Sequence, residues 1–192
     1  GTATLSDDAA QAARFASLAA LSGRPQNGAV LPGSGWVARE SSFSRAYSGV
    51  ASSLDGRRLV AAATGGQLYV SSDFGVNWVA RASALAWTAV ACSADGSVMA
   101  AAVNNGNIYI STDSGTTWVA SAGSSKLSWR AITCSADGQK LAAAATNAKL
   151  YTSADGGLTW VARDSARNWS GIAMSADGTK LVAAVNPGQL YN

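Results

Sequence analysis

Acid–base chemistry in this chain has to come from carboxylates. There is no histidine among its 192 residues, which removes the usual proton shuttle near neutral pH and the commonest zinc and iron ligand. Of the eleven Asp and Glu residues, Asp73, Asp113 and Asp155 lie in one recurring string. Asp55, Asp95, Asp137 and Asp177 each precede a glycine in "LDG" or "ADG", and Asp7 and Asp8 open a helix-like stretch. Glu40 and Asp164 remain. Glycoside hydrolysis needs two free carboxylates about 5–10 Å apart. These two follow "WVAR" at equivalent places in different copies of a repeat, with no repeat-breaking residue beside them. No catalytic residue is assigned, and the chain reads as a non-enzyme.

Other chemistries find little support. Cys92 and Cys134 are the only cysteines and lack C-x-x-C spacing. They are in register with Ser52 and Met174, and a disulfide needs Cα atoms within about 7 Å, so buried free thiols are expected rather than a bridge. The glycines form no phosphate-binding G-x-x-x-x-G-K pattern, and neither a metal nor a cofactor is implied. The net charge of +3 is spread through the chain without a basic run, which argues against a nucleic-acid partner. Apolar stretches are too short to span a membrane. "NWS" at 168–170 matches a glycosylation sequon but sits at the foot of an expected strand, where it is discounted.

What must position any site is a repeat. "SSDFGVNW" at 71–78 returns as "STDSGTTW" at 111–118 and "SADGGLTW" at 153–160. Asp55, Asp95, Asp137 and Asp177 keep intervals of 40, 42 and 40, and Tyr69, Tyr109, Tyr151 and Tyr191 share them. So do Tyr47, Trp87, Trp129 and Trp169. Within one unit, "WTAVACS", "SVMAAAV", "NIYIS" and "TTWVA" are short apolar segments separated by Asp-Gly and Asn-Gly turns, the signature of antiparallel hairpins. Alanine is a poor strand former, so "AAA" in the second strand implies sheets facing each other closely on both sides. A four-stranded meander of about 40 residues, repeated and flanked by its neighbours, is a β-propeller blade. The fold class is therefore all-β.

The recurring string has a mechanical role in that blade. Its aspartate can accept backbone N–H groups of its own turn, with the serine hydroxyl as a further partner. Ser71, Asp73, Gly75 and Trp78 form the first box. Ser111, Asp113, Gly115 and Trp118 form the second, and Ser153, Asp155, Gly157 and Trp160 the third. The glycines let the chain reverse and the tryptophans are expected to plug the space between sheets.

On these boxes the chain, over residues 36–192, resembles the Asp-box (BNR) repeat propellers. That group includes sialidases, sortilin-type receptors and photosystem-assembly propellers. The resemblance implies a propeller that uses the box structurally. Sialidase chemistry needs an arginine triad, a Tyr/Glu pair and an acid/base aspartate, and no such set is found here. The non-catalytic relatives imply a scaffold or assembly subunit exported to a thylakoid lumen, a periplasm or the extracellular space.

Four blades are expected. The last unit, "WSGIAMSADGTKLVAAVNPGQLYN", holds three strands, while "GWVARE" stands alone ahead of the first complete unit. Pairing of residues 36–39 with the last strand, 189–191, closes a four-bladed ring without an open edge. The competing reading is a fragment, or half of a larger ring completed by a second copy. Residues 1–35 form a separate arm, with a helix over "SDDAAQAARFASLAALSG" and a Pro/Gly linker. That arm either lies on the propeller or docks on another protein.

A binding face is expected where the most variable connections meet the first strand of each blade, because loops on a rigid scaffold carry recognition. It comprises Arg45, Tyr47, Trp87, Lys126, Trp129, Arg130, Arg167 and Trp169. The aromatics are open to two readings, a platform for a sugar or peptide and core packing between blades. The function expected is protein–protein interaction within a larger assembly. A lectin-like glycan binder is the alternative, and a sialidase-like glycosidase the most remote. The cations Arg39, Arg81 and Arg163, with Ser121 at the matching place, read as solvated edge charges.

Overall fold

The computed structural model describes Ala38 and residues 45–192. The expected helix, the linker and the closing segment 36–39 lie outside the described residues, apart from Ala38, which is exposed and in no strand. Residues 45–192 all fall within one compact unit.

They form fifteen antiparallel strands and no helix. The first blade is β1 (Tyr47–Ser52), β2 (Leu59–Ala63), β3 (Leu68–Ser71) and β4 (Val79–Arg81). The second is β5 (Trp87–Cys92), β6 (Met99–Gly106), β7 (Ile108–Ser111) and β8 (Val119–Ala120), and the third is β9 (Leu127–Cys134), β10 (Leu141–Ala145), β11 (Ala148–Ser153) and β12 (Val161–Arg167). A three-stranded sheet follows, with β13 (Trp169–Met174), β14 (Leu181–Val185) and β15 (Leu190–Tyr191). Strands pair in chain order within each unit, as a meander requires. The pairs Asn104↔Ser128 and Gly106↔Leu127 additionally join β6 to β9.

Each first strand carries a bulge at the same place. Tyr47 faces Ala63 while Gly49 faces Ala62, so Ser48 is an extra residue; Thr88, Arg130 and Ser170 are extra in the same way. A bulge bends the strand and re-aims its flanking side chains. Here it follows the aromatic that opens the strand, and Trp87, Trp129 and Trp169 end up fully buried.

The units pack in sequence, β1 against β5, β5 against β9 and β9 against β13. Between the first two lie Val60, Ala62, Leu68, Trp87, Val90 and Met99. The next interface is built from Ala100, Ala102, Ile108, Trp129, Ile132 and Leu141. The third uses Ala144, Trp169 and Ala183. The alanine runs Ala61–Ala63, Ala100–Ala102 and Ala142–Ala145 are buried, because both faces of each second strand meet another layer. Side chains no larger than a methyl permit that approach, which explains residues that strand propensity alone disfavours.

Candidate functional site

The box builds itself from local hydrogen bonds. In the first copy the Ser71 hydroxyl donates to Asp73 Oδ1 at 2.8 Å and accepts the Gly75 N–H at 2.9 Å. Asp73 accepts the Asn77 N–H at 2.9 Å and the Asn77 side-chain amide at 2.7 Å. The second copy repeats this with Ser111, Asp113, the Gly115 N–H and Thr117, whose hydroxyl takes the place of the amide at 2.6 Å. The third does so with Ser153, Asp155, Gly157 and Thr159. Each aspartate is held as an anion. The Thr117 hydroxyl and N–H and then Ser111 lower Asp113 to about 2. Thr159 and Ser153 lower Asp155 to about 2, and the Asn77 N–H leads in lowering Asp73. Hydrogen bonds donated to the charged form are the common cause.

The indoles finish the box. Trp78, Trp118 and Trp160 each donate Nε1–H to the carbonyl of the box glycine, at 3.1, 3.1 and 3.2 Å. They are half-buried, resting against the edges of the core clusters. Trp118 and Trp160 thus reach the clusters between blades from their edges, while the fully buried tryptophans are Trp87, Trp129 and Trp169.

Those three residues and Tyr47 each meet a tyrosine of their own blade edge-to-face. Centroid distances are 6.2 Å for Tyr47–Tyr69, 5.2 Å for Trp87–Tyr109, 5.3 Å for Trp129–Tyr151 and 5.3 Å for Trp169–Tyr191. Complete burial of the tryptophans removes them as a platform for a sugar ring. Of this set only Tyr47 is exposed. Core packing is what their positions do.

The cations remain at the surface. Lys126 is exposed in the connection before β9, and Arg130 is exposed as its bulge residue. Arg45 lies over Tyr69 at 4.5 Å, and Arg167 over Tyr191 at 4.5 Å. In the two intervening units the matching positions hold Leu85 and Leu127, which pack onto the core. Arg167 also sits 3.8 Å from Asp164 Oδ1. Its Nε and the Trp169 Nε1 are buried donors that meet no acceptor. The matching Trp129 differs, donating to the Gly106 carbonyl at 3.0 Å.

Every described carboxylate is committed locally. Asp55, Asp95, Asp137 and Asp177 accept a serine hydroxyl two residues earlier. Asp164 accepts the Ser165 N–H beside Arg167. Cys92 and Cys134 are free thiols, raised to about 12 and about 11, each chiefly by burial. Reasoning from sequence missed Ser121, which stood as the odd member of an arginine register. It is buried, its hydroxyl accepts Trp160 Nε1–H at 2.9 Å, and it donates to the Gly157 carbonyl. Only its departure from the repeat marked it.

No protein-family model matches the chain, and neither does any curated protein. Solved structures do. A GH74 enzyme from Niastella koreensis superposes with a TM-score of 0.58 and 27% identity over 75% of this chain and 22% of the enzyme. YCF48 bound to D1 peptide gives 0.56 and 20% over 76% of this chain and 52% of YCF48. A nidogen/laminin complex gives 0.61 and 16%, covering 73% of this chain and 57% of the other. The chain thus spans about a fifth of the GH74 enzyme and about half of YCF48. The fold is a β-propeller.

Proposed function

We propose that this chain is a non-catalytic propeller of the Asp-box type that binds a protein partner as part of a larger assembly. The observation that carries the reading is the contrast between its charges. The described carboxylates are tied into turns by neighbouring donors, while Lys126 and Arg130 stand exposed on one connection and bulge. Arg45 and Arg167 occupy the matching edge of the first and last blades. A rigid scaffold with cations on that edge suits an acidic or carboxylate-ended peptide, recognised through charge-assisted hydrogen bonds. Among the propeller neighbours, one is described as bound to a peptide and another as a protein complex. An exported location fits this reading, as does the division into an arm over 1–35 and a propeller over 36–192.

We weigh the enzyme reading lower because the described carboxylates already accept hydrogen bonds within their own turns, and the lectin reading lower because Trp87, Trp129 and Trp169 are buried. Binding to arrays of acidic and neutral peptides, beside a glycan array, tests the proposal. Acidic peptides are expected to bind, with affinity falling as salt rises and in Lys126→Glu and Arg130→Glu proteins that keep their near-ultraviolet circular dichroism. Sugar-competed glycan binding with no peptide signal, or hydrolysis of a glycoside, would overturn it.

A further inference from the structure

One blade departs from the repeat in charge. Lys126, Arg130, Lys149 and Arg167 belong to the third blade and the connection that enters it. The matching residues are Ala84, Thr88, Asn107 and Leu127 in the second blade, and Ser44, Ser48, Gln67 and Leu85 in the first. None of these is charged. Backbone structure gives no reason for the difference, because each unit pairs as the same meander with the same bulge.

The fold sets these cations at one end of the blade. Trp129 faces Ala145 with Arg130 the extra residue beside it, Ala144 faces Leu150, the residue after Lys149, and Ala148 faces Arg167. Arg130, Lys149 and Arg167 therefore stand at one level on β9, β11 and β12, with Lys126 just ahead of β9. Lys126, Arg130 and Lys149 are exposed, and Arg167 is half-buried with its guanidinium over Tyr191 at 4.5 Å. Among the described residues Asp164 is the only carboxylate at this end, 3.8 Å from Arg167. The aspartates of the boxes and the Asp-Gly turns lie at the opposite end, where they outnumber the cations Arg57, Arg58, Lys140 and Lys180. Arg163 does not join the row. Its Nε donates to Thr152 Oγ1 at 3.1 Å, toward the box.

We infer that this end of the third blade binds an extended acidic segment of a protein partner whose carboxylates fall at alternate residues, with Lys149 as a specificity-determining contact. The inference rests on the peptide-binding reading and narrows it to one blade. From β9 to β12 is three strand spacings, about 14 Å. An extended chain advances about 3.4 Å per residue and presents every second side chain on one side, so carboxylates at i, i+2 and i+4 also span about 14 Å. Each then meets one of Arg130, Lys149 and Arg167 in a charge-assisted contact. A long polyanion fits less well, because the patch is one blade wide and the far end of the molecule carries the aspartates. Asp164 stands beside the row as a like charge toward that ligand, so its neutralisation should improve binding.

The test is isothermal titration of the whole chain with two capped peptides of equal composition, one holding three aspartates at alternate positions and the other the same three adjacent. The alternating peptide is expected to bind several-fold more tightly. Lys149→Glu and Arg130→Glu should each weaken it by about tenfold or more. Arg163→Glu should leave it unchanged, and Asp164→Asn should tighten it, a gain that a merely damaged fold would not give. Asparagine tolerates the positive φ of 55° held by Asp164, and near-ultraviolet circular dichroism checks that each variant folds. Equal affinity for the two peptides, an unaffected Lys149→Glu, an Arg163→Glu protein weakened as much, or an Asp164→Asn protein that binds no better would overturn this inference and leave acidic-peptide binding standing. Absence of any peptide binding, or tighter binding of heparin or single-stranded DNA, would overturn both.

Discussion

The hydroxyl of Ser121 joins two blades, accepting the Trp160 indole N–H at 2.9 Å and donating to the Gly157 carbonyl. Both partners belong to the third box, while Ser121 follows β8 of the second blade. At the matching places stand Arg81, which is half-buried, and Arg163, which is exposed. One short side chain therefore couples units that the meander alone does not connect.

Ser121→Ala should destabilise the chain by about 1 kcal/mol, since it leaves a buried carbonyl without this donor. Urea unfolding followed by tryptophan fluorescence measures it. An unchanged midpoint would mean that the indole's own bond to Gly157 is sufficient.

Stability should fall on acidification within a defined window. Asp95, Asp113, Asp155 and Asp177 ionise at about 2 in the folded chain against an ordinary 3.8. A depressed carboxylate binds its proton less readily when folded, so its stabilisation is complete above about pH 4 and is lost as pH drops toward 2. The melting temperature of the wild type should decline through that window. The decline should be shallower in Asp113→Asn, which starts lower at pH 7 and has one fewer group to protonate. Parallel curves for the two proteins would refute the assignment.

Gly115→Ala and Gly156→Ala separate strain from packing. Both glycines have positive φ, 81° and 69°. A Cβ on Gly115 meets Val70 Cγ2 at 2.8 Å and the Met99 sulfur at 3.0 Å, whereas one on Gly156 meets nothing within 4 Å. Both variants should lose about 1–2 kcal/mol to the left-handed backbone, and Gly115→Ala should lose a further 1–3 kcal/mol or so to overpacking. Equal losses in denaturant titrations would contradict the packing.

The two thiols should react slowly with a disulfide reagent at pH 8 in native buffer and promptly in denaturant. Burial raises them to about 12 and 11, leaving almost no thiolate in the folded chain. Rapid modification under native conditions would show that the blades part readily at β5 and β9.

The elements of each blade and the turn chemistry were legible in the sequence, because their hydrogen bonds close within a few residues. Ser71 and Asp73 need only the chain as far as Asn77, and the intervals of 40 and 42 announce the repeat by spacing alone. The bulges after Tyr47, Trp87, Trp129 and Trp169 were not legible. They depend on the register of a partner strand about 14 residues or more away, and they decide that three tryptophans are core rather than binding platform. The cations Lys126, in the connection before β9, and Arg130, within β9, were singled out from the sequence and lie exposed. By itself, then, the sequence determined the strands, the boxes and the order of the blades, all of them short-range matters of periodicity and local donors. Tertiary structure alone decided which apolar faces are covered between the described blades and what Ser121 bridges. Each of those depends on contact between groups some forty residues apart, a distance that only packing can span.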